Sequence, residues 1–164
     1  MGLSLPIAQP QLFNTPLEAG VRALLILDAF APESFDIATM SLLDYYVVHT
    51  GDAGGPQSLH PEITARAGEF FVRRHLVEEG LLLMTRASLI EQVITDSGIA
   101  FRAHEMATAM IDLFGSPYNT RLAKAAEWLA AEAAAKGVDA FISGLKDGLE
   151  RWSHEIVGKV ADDV

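Results

Sequence analysis

His49, Asp52 and His60 fall within one short stretch rich in glycine and proline, Thr50 to Pro61. Two imidazoles and a carboxylate are a donor set that could hold zinc or iron. This spacing matches no metal motif, and ligands hung from a loop lack the rigid elements and supporting hydrogen bonds such a site needs. We therefore expect no metal and no cofactor, and a loop whose purpose is structural or interactive. The Gly51-Asp-Ala-Gly54-Gly55 run lacks the Gly-Lys-Ser/Thr ending of a P-loop and the preceding strand of a dinucleotide fingerprint. Ser58 lies close to His60 in sequence but sits in no Gly-x-Ser-x-Gly elbow. No catalytic residue is assigned, and the chain is not expected to be an enzyme.

The other residues of interest are Arg66, Arg73 and Arg74. In the sequence to residue 59 only Arg22 is basic, against Glu18, Asp28, Glu33, Asp36, Asp44 and Asp52. The three arginines then cluster where a third helix begins, the place at which a winged helix would meet DNA. The plainer reading is a solvated helix face, with Glu69–Arg73 and Arg74–Glu78 paired at i,i+4. On the binding reading, changing Arg73 and Arg74 to Glu should weaken assembly without unfolding the chain.

Composition narrows the classes. The chain has 164 residues, 50% hydrophobic and 21% charged, which suits one globular domain and excludes a disordered chain. Lys plus Arg total 12 against 22 for Asp plus Glu, a net charge of -10, so a broadly basic nucleic-acid binder is excluded and any DNA contact must be local. The absence of cysteine excludes disulfide scaffolds, thiolate zinc sites and cysteine nucleophiles. No basic residue precedes Arg22, and the apolar runs at 24–27 and 81–84 are far too short for a membrane span, so a cytoplasmic protein without a signal peptide is expected.

These residues must be held by a small set of elements. Residues 1–13 read as an apolar but irregular N-terminal arm. Thr15, Pro16 and Glu18 open a helix reaching about Phe30, with Glu18 and Arg22 spaced for an i,i+4 pair. Pro32 breaks the chain, and Asp36 caps a second helix that stops before Gly51. A third helix, about Gly68 to Ala87, carries the most apolar surface and is expected to be central. Residues 89–95 and 99–103 flank Asp96-Ser97-Gly98 as a β-hairpin. A helix from His104 to Phe114 follows, then an alanine-rich helix from Ser116-Pro117, then a segment after Gly137. There Val138, Ile142, Leu145, Leu149, Trp152 and Ile156 form a heptad-type seam, read as a helix packing on its own domain. The expected class is mainly α (α+β): a winged-helix-like domain over 14–103, three helices plus a hairpin wing, and a helical region over 104–164 packed on it.

Several blocks together resemble a known family: Phe13 to Phe30 (Phe-Asn-Thr-Pro-Leu-Glu-Ala-Gly-Val-Arg-Ala-Leu-Leu-Ile-Leu-Asp-Ala-Phe), Leu42-Leu-Asp-Tyr45, Val48 to Pro61, Glu69-Phe-Phe-Val-Arg-Arg74 and Ser116-Pro-Tyr118. The chain resembles a middle component of the bacterial ABC-three-component systems, the group that includes Lamassu-type phage defence. The resemblance runs from about Phe13 to Trp128 and is most specific in the His49-to-Pro61 block. It implies a small non-catalytic subunit joining an SMC-like ABC ATPase to an effector, often a nuclease, and similar to the winged-helix kite subunits of condensin-type complexes. Those carry paired winged helices and one hairpin is read here, so homodimerisation stays open.

The partner-interface candidates on this reading are His49, Asp52, Gly54, Gly55 and His60 in the loop, with Arg66, Arg73 and Arg74 beside it. The alternative is a stand-alone winged-helix DNA-binding transcriptional regulator, which a basic face would favour and the acidic total disfavours. A metal-dependent hydrolase built on His49, Asp52 and His60 would require stoichiometric metal.

Overall fold

The computed structural model describes residues 15–60 and 66–162, and of these the side chains of 66–72 and 152–162 fall outside the description. The expectations for the arm at 1–13, for the Arg66 and Glu69 side chains, and for Trp152 and Ile156 lie outside it too.

Helix α1 spans Pro16–Ala29. Thr15 accepts the Glu18 N–H at 3.2 Å, and Pro16 occupies the first turn, where its missing N–H costs nothing. Asp36 starts α2, Ile37–Val48, in the same way, accepting the Thr39 N–H at 2.8 Å. Both helices are apolar around nearly their whole circumference. Residues 22–27 and 40–48 are buried without a break, as a helix in the centre of a domain requires.

Helix α3, Arg66–Arg86, packs against both, and against a later helix. It was expected to be the central helix, and it does pack on both of them, while the unbroken burial just described belongs to α1 and α2. Val77, Leu81 and Met84 turn inward, while Leu82 and Leu83 in the same apolar run remain exposed because the helical period carries them to the outer side. The α1–α3 crossing is very close at Gly20 and Gly80: a Cβ added to Gly80 would stand 2.5 Å from the Gly20 backbone nitrogen.

Strands β1, Ile90–Thr95, and β2, Gly98–Ala103, pair antiparallel from Ile90↔Ala103 to Thr95↔Gly98. Asp96 and Ser97 make the turn. Gly98 has φ 119, a region that suits glycine. Phe35 bridges the free edge of β2, exchanging backbone hydrogen bonds of 2.9 and 2.8 Å with Phe101. The buried Ile90 and Phe101 lie on the same face of the hairpin as the exposed pair Ile94 and Ile99 near its tip.

The helix read over His104 to Phe114 is shorter than expected: α4 covers only Ala107–Ile111. His104 Nδ1 accepts the Met106 N–H at 3.0 Å, so the first residues form a side-chain-closed turn instead of a helical one. Ser116 caps α5, Pro117–Lys136, by accepting the Asn119 N–H. After Gly137, α6 spans Val138–Asp162. Leu145 and Leu149 of the seam, and Phe141 beside it, are buried in the same core as α1 and α2. The Tyr46 hydroxyl donates to the Leu145 carbonyl at 2.8 Å, tying α2 to α6.

Among the described residues the chain is thus mainly helical with one two-stranded antiparallel sheet, in the order helix, helix, helix, hairpin, helices, a winged-helix-like layout. Among the described residues no helix is long and apolar enough to cross a membrane.

Candidate functional site

The polar residues of the sequence blocks meet inside the molecule. Asp44, on the inner side of α2, is flanked by two arginines. Arg22 Nε of α1 donates to Asp44 Oδ1 at 2.7 Å, and Arg73 Nη1 of α3 donates to Asp44 Oδ2 at 3.1 Å and to the Asp44 backbone carbonyl at 3.1 Å. All three residues are buried. A buried polar group is costly unless its hydrogen bonds are made, and here two guanidinium groups supply charge-assisted hydrogen bonds to both carboxylate oxygens. Burial works against the Arg22 charge, but the coulombic and hydrogen-bonding pull of Asp44 outweighs it, and the Arg22 pKa stands above that of a free guanidinium.

Beyond Asp44 lies a row of rings. Tyr45 of α2 and His49, which closes the C-terminus of that helix, have ring centroids 4.6 Å apart. His49 meets His60 edge to face at 5.9 Å, and His60 lies parallel to Tyr118 at the start of α5, with its Nε2 3.0 Å from the Tyr118 hydroxyl. Burial first, then the positive field of Arg73 with further contributions from His49 and Arg22, lowers the His60 pKa to about 4, so the ring is neutral at pH 7. Burial also raises the Tyr118 pKa, keeping its hydroxyl protonated. The Tyr45 hydroxyl donates to Asp52 Oδ2 at 2.7 Å.

The loop from His49 to His60 is closed on itself. It begins with a 3₁₀ turn, Thr50–Ala53. Its ends meet where the His60 N–H donates to the Val48 carbonyl at 3.0 Å. Inside it the Gly51 N–H donates to Ser58 Oγ, the Thr50 hydroxyl donates to the Pro56 carbonyl, and the Gly55 N–H donates to the Thr50 carbonyl. Gly54 is exposed with φ 76. Gly55 lies flat on the indole of Trp128 in α5, where an added Cβ would come within 2.5 Å of the ring. Glycine is used here for close approach.

His49 and His60 are therefore brought together, but Asp52 turns to Tyr45. Among the described residues no group of three or more His, Asp or Glu side chains is placed to hold a metal ion. Ser58 Oγ is engaged by Gly51, and His60 Nε2 sits at Tyr118, so sequence proximity does not become a nucleophile–base pair.

The arginines divide. Arg73, expected on a solvated face, is only 3% exposed and bound to Asp44, which overturns the expectation that its charge can be reversed without unfolding the chain. Arg74 is exposed, with Glu78 at 3.9 Å, as the i,i+4 spacing predicts. Arg66 opens α3. Asp44, Tyr45 and Tyr118 were not singled out from sequence, and Arg22 was read only as a partner for Glu18; the partners of Asp44 and Tyr118 lie far along the chain. The available signal was the set of blocks themselves: Leu42–Tyr45, His49–His60, Glu69–Arg74 and Ser116–Tyr118 each contribute to this one network.

A helical, winged-helix-like fold whose internal polar network draws on every one of those blocks defines a small, mainly helical domain. A model of one family, described as ABC-three component (ABC-3C) system Middle Component 2, matches residues 12–155, and the chain belongs to that family. No curated protein and no solved structure matches it.

Proposed function

We propose that this chain is a non-catalytic adaptor that links an SMC-like ABC ATPase to an effector nuclease in a cytoplasmic bacterial anti-phage defence complex. The observation that carries the reading is the family match over residues 12–155, which makes the chain a component of a multi-component system. The chemistry of the site supports a binding role: its imidazoles, carboxylates and guanidinium groups are engaged with one another inside the fold. In this reading the adaptor holds the effector in check and releases it when the ATPase engages foreign DNA, which requires the partner states to differ in affinity for this subunit. Of the original interface candidates, Arg74 and the outer side of the loop around Gly54 are exposed and suit contact, whereas His49 and Arg73 act from beneath by shaping that surface.

The test is co-purification of the tagged chain expressed with its neighbouring genes. Capture of an ATPase together with a second, effector subunit supports the adaptor. A chain that purifies alone and binds duplex DNA with strong salt dependence overturns it in favour of a regulator.

A further inference from the structure

Beside the loop lies a groove of about 430 Å³, walled on one side by Pro56, Gln57, Ser58 and Leu59 and on the other by Arg121 and Lys124 of α5. Its charge is out of keeping with the molecule. The chain carries a net charge of -10, and the exposed cations Arg74, Arg102 and Lys136 each stand beside a glutamate. Arg121 and Lys124 have no ion-pair partner among the described residues, as is also true of the exposed Arg86, Lys146 and Arg151; what sets the two apart is that they are neighbours on one face of α5 and line the same groove. The loop wall is fixed in advance, by Gly55 on Trp128 and by the Gly51 N–H on Ser58 Oγ, so little ordering is lost when something enters. Ser58 accepts that N–H and keeps its own hydroxyl proton to donate.

We infer that this groove is a docking site for an acidic peptide segment of a partner protein. Arg121 offers the planar two-pronged geometry that matches a carboxylate, and Lys124 adds a second positive charge about one helical turn away. Pro56 and Leu59 supply apolar contact to the peptide stem, and Ser58 and Gln57 supply hydrogen bonds to its backbone. Duplex DNA fits the groove less well. Two cations on an acidic body neutralise too few phosphates to overcome the repulsion of the rest of the surface. The inference deepens the adaptor reading by giving one partner contact a chemistry, and it rests on that reading for its biological meaning.

The test uses the purified full chain, labelled with ¹⁵N and titrated with hexaglutamate in about 0.15 M salt, where only short-range charge contacts survive. The expected result is saturable shifts confined to the amides of Gln57–Leu59 and Arg121–Ala125. Because both cations are exposed, Arg121→Glu/Lys124→Glu should keep its circular dichroism spectrum and bind at least about tenfold more weakly, a loss typical of removing charge-assisted contacts. Arg121→Gln/Lys124→Gln should fall between. Absence of saturable shifts, shifts that persist unchanged in the charge-reversed variant, or stronger shifts of the same amides by a short DNA duplex would each overturn the inference. Failure here with neighbouring subunits still captured removes the groove and leaves the adaptor. Loss of capture with the peptide still bound does the reverse.

Discussion

Arg73 and Asp44 meet through both side chain and backbone: one guanidinium nitrogen lies 3.1 Å from the Asp44 carboxylate and 3.1 Å from the Asp44 carbonyl. The arginine therefore fixes the path of α2 as well as neutralising a buried charge.

Asp44→Ala removes the common partner of Arg22 and Arg73 and leaves two guanidinium groups facing each other in a dry interior. The expected loss is about 3–5 kcal/mol, the range for breaking a buried ion pair from one side. Urea unfolding followed by circular dichroism measures it. A loss below about 1 kcal/mol, the size of an exposed pair, would mean that the triad is solvated. By the same logic Arg73→Glu sets two carboxylates against each other and unfolds the protein, while Arg74→Glu is neutral to stability.

Gly80→Ala sets two effects against each other. Alanine gains up to about 1 kcal/mol over glycine within a helix. Its Cβ, however, would press on the Gly20 backbone at 2.5 Å, where neither helix can yield without moving α1 from α3. Overpacking of this kind costs about 1–3 kcal/mol, so the net expectation is a lowered melting temperature. A variant that melts higher than the parent would show that the crossing is looser.

Gly55→Ala tests the seat of the loop. The new methyl group would strike the Trp128 ring at 2.5 Å, so the loop must lift or the indole must turn. In a Trp152→Phe background Trp128 is the sole indole of the chain, and its emission should shift to longer wavelength as water reaches the ring. Unchanged emission would place the loop elsewhere.

His60 gives the protein an acid sensitivity of defined sign. Its pKa is 6.5 when unfolded and about 4 when folded. Above the first value both states are neutral there and the group has no effect. Between them the unfolded chain takes up a proton that the folded chain refuses, so stability falls as pH drops through this window and levels off below it. The groups setting the shift are burial, Arg73, His49 and Arg22, with Asp44 opposing them. Melting temperatures measured across that window for the parent and for His60→Gln should converge at the acid end. Parallel curves would remove His60 from the account.

The elements were legible where the information is local. Thr15, Asp36 and Ser116 announce their helices, and the run from Ile90 to Ala103 announces a hairpin with Asp96 and Ser97 at its tip. The polar network was not legible in the same way. Arg22 reads along its own helix as a partner for Glu18 and Arg73 as a partner for Glu69, because i,i+4 spacing is the only geometry a single sequence displays. Asp44, which lies 22 residues from Arg22 and 29 from Arg73 in the chain, carries no local mark of drawing both inward. The loop fared between these cases. Its irregular backbone was evident from its glycines, while the reason for Gly55 became visible only when Trp128 arrived from α5.

The hydrogen bond from the Tyr46 hydroxyl to the Leu145 carbonyl joins residues 99 positions apart, and Leu149 closes the same core. During synthesis, a nascent chain that has emerged only as far as the hairpin holds α2 with one side of its apolar surface bare. This side of α2 stays open until α6 has left the ribosome, and over that interval its exposed tyrosines and valines are available to chaperones.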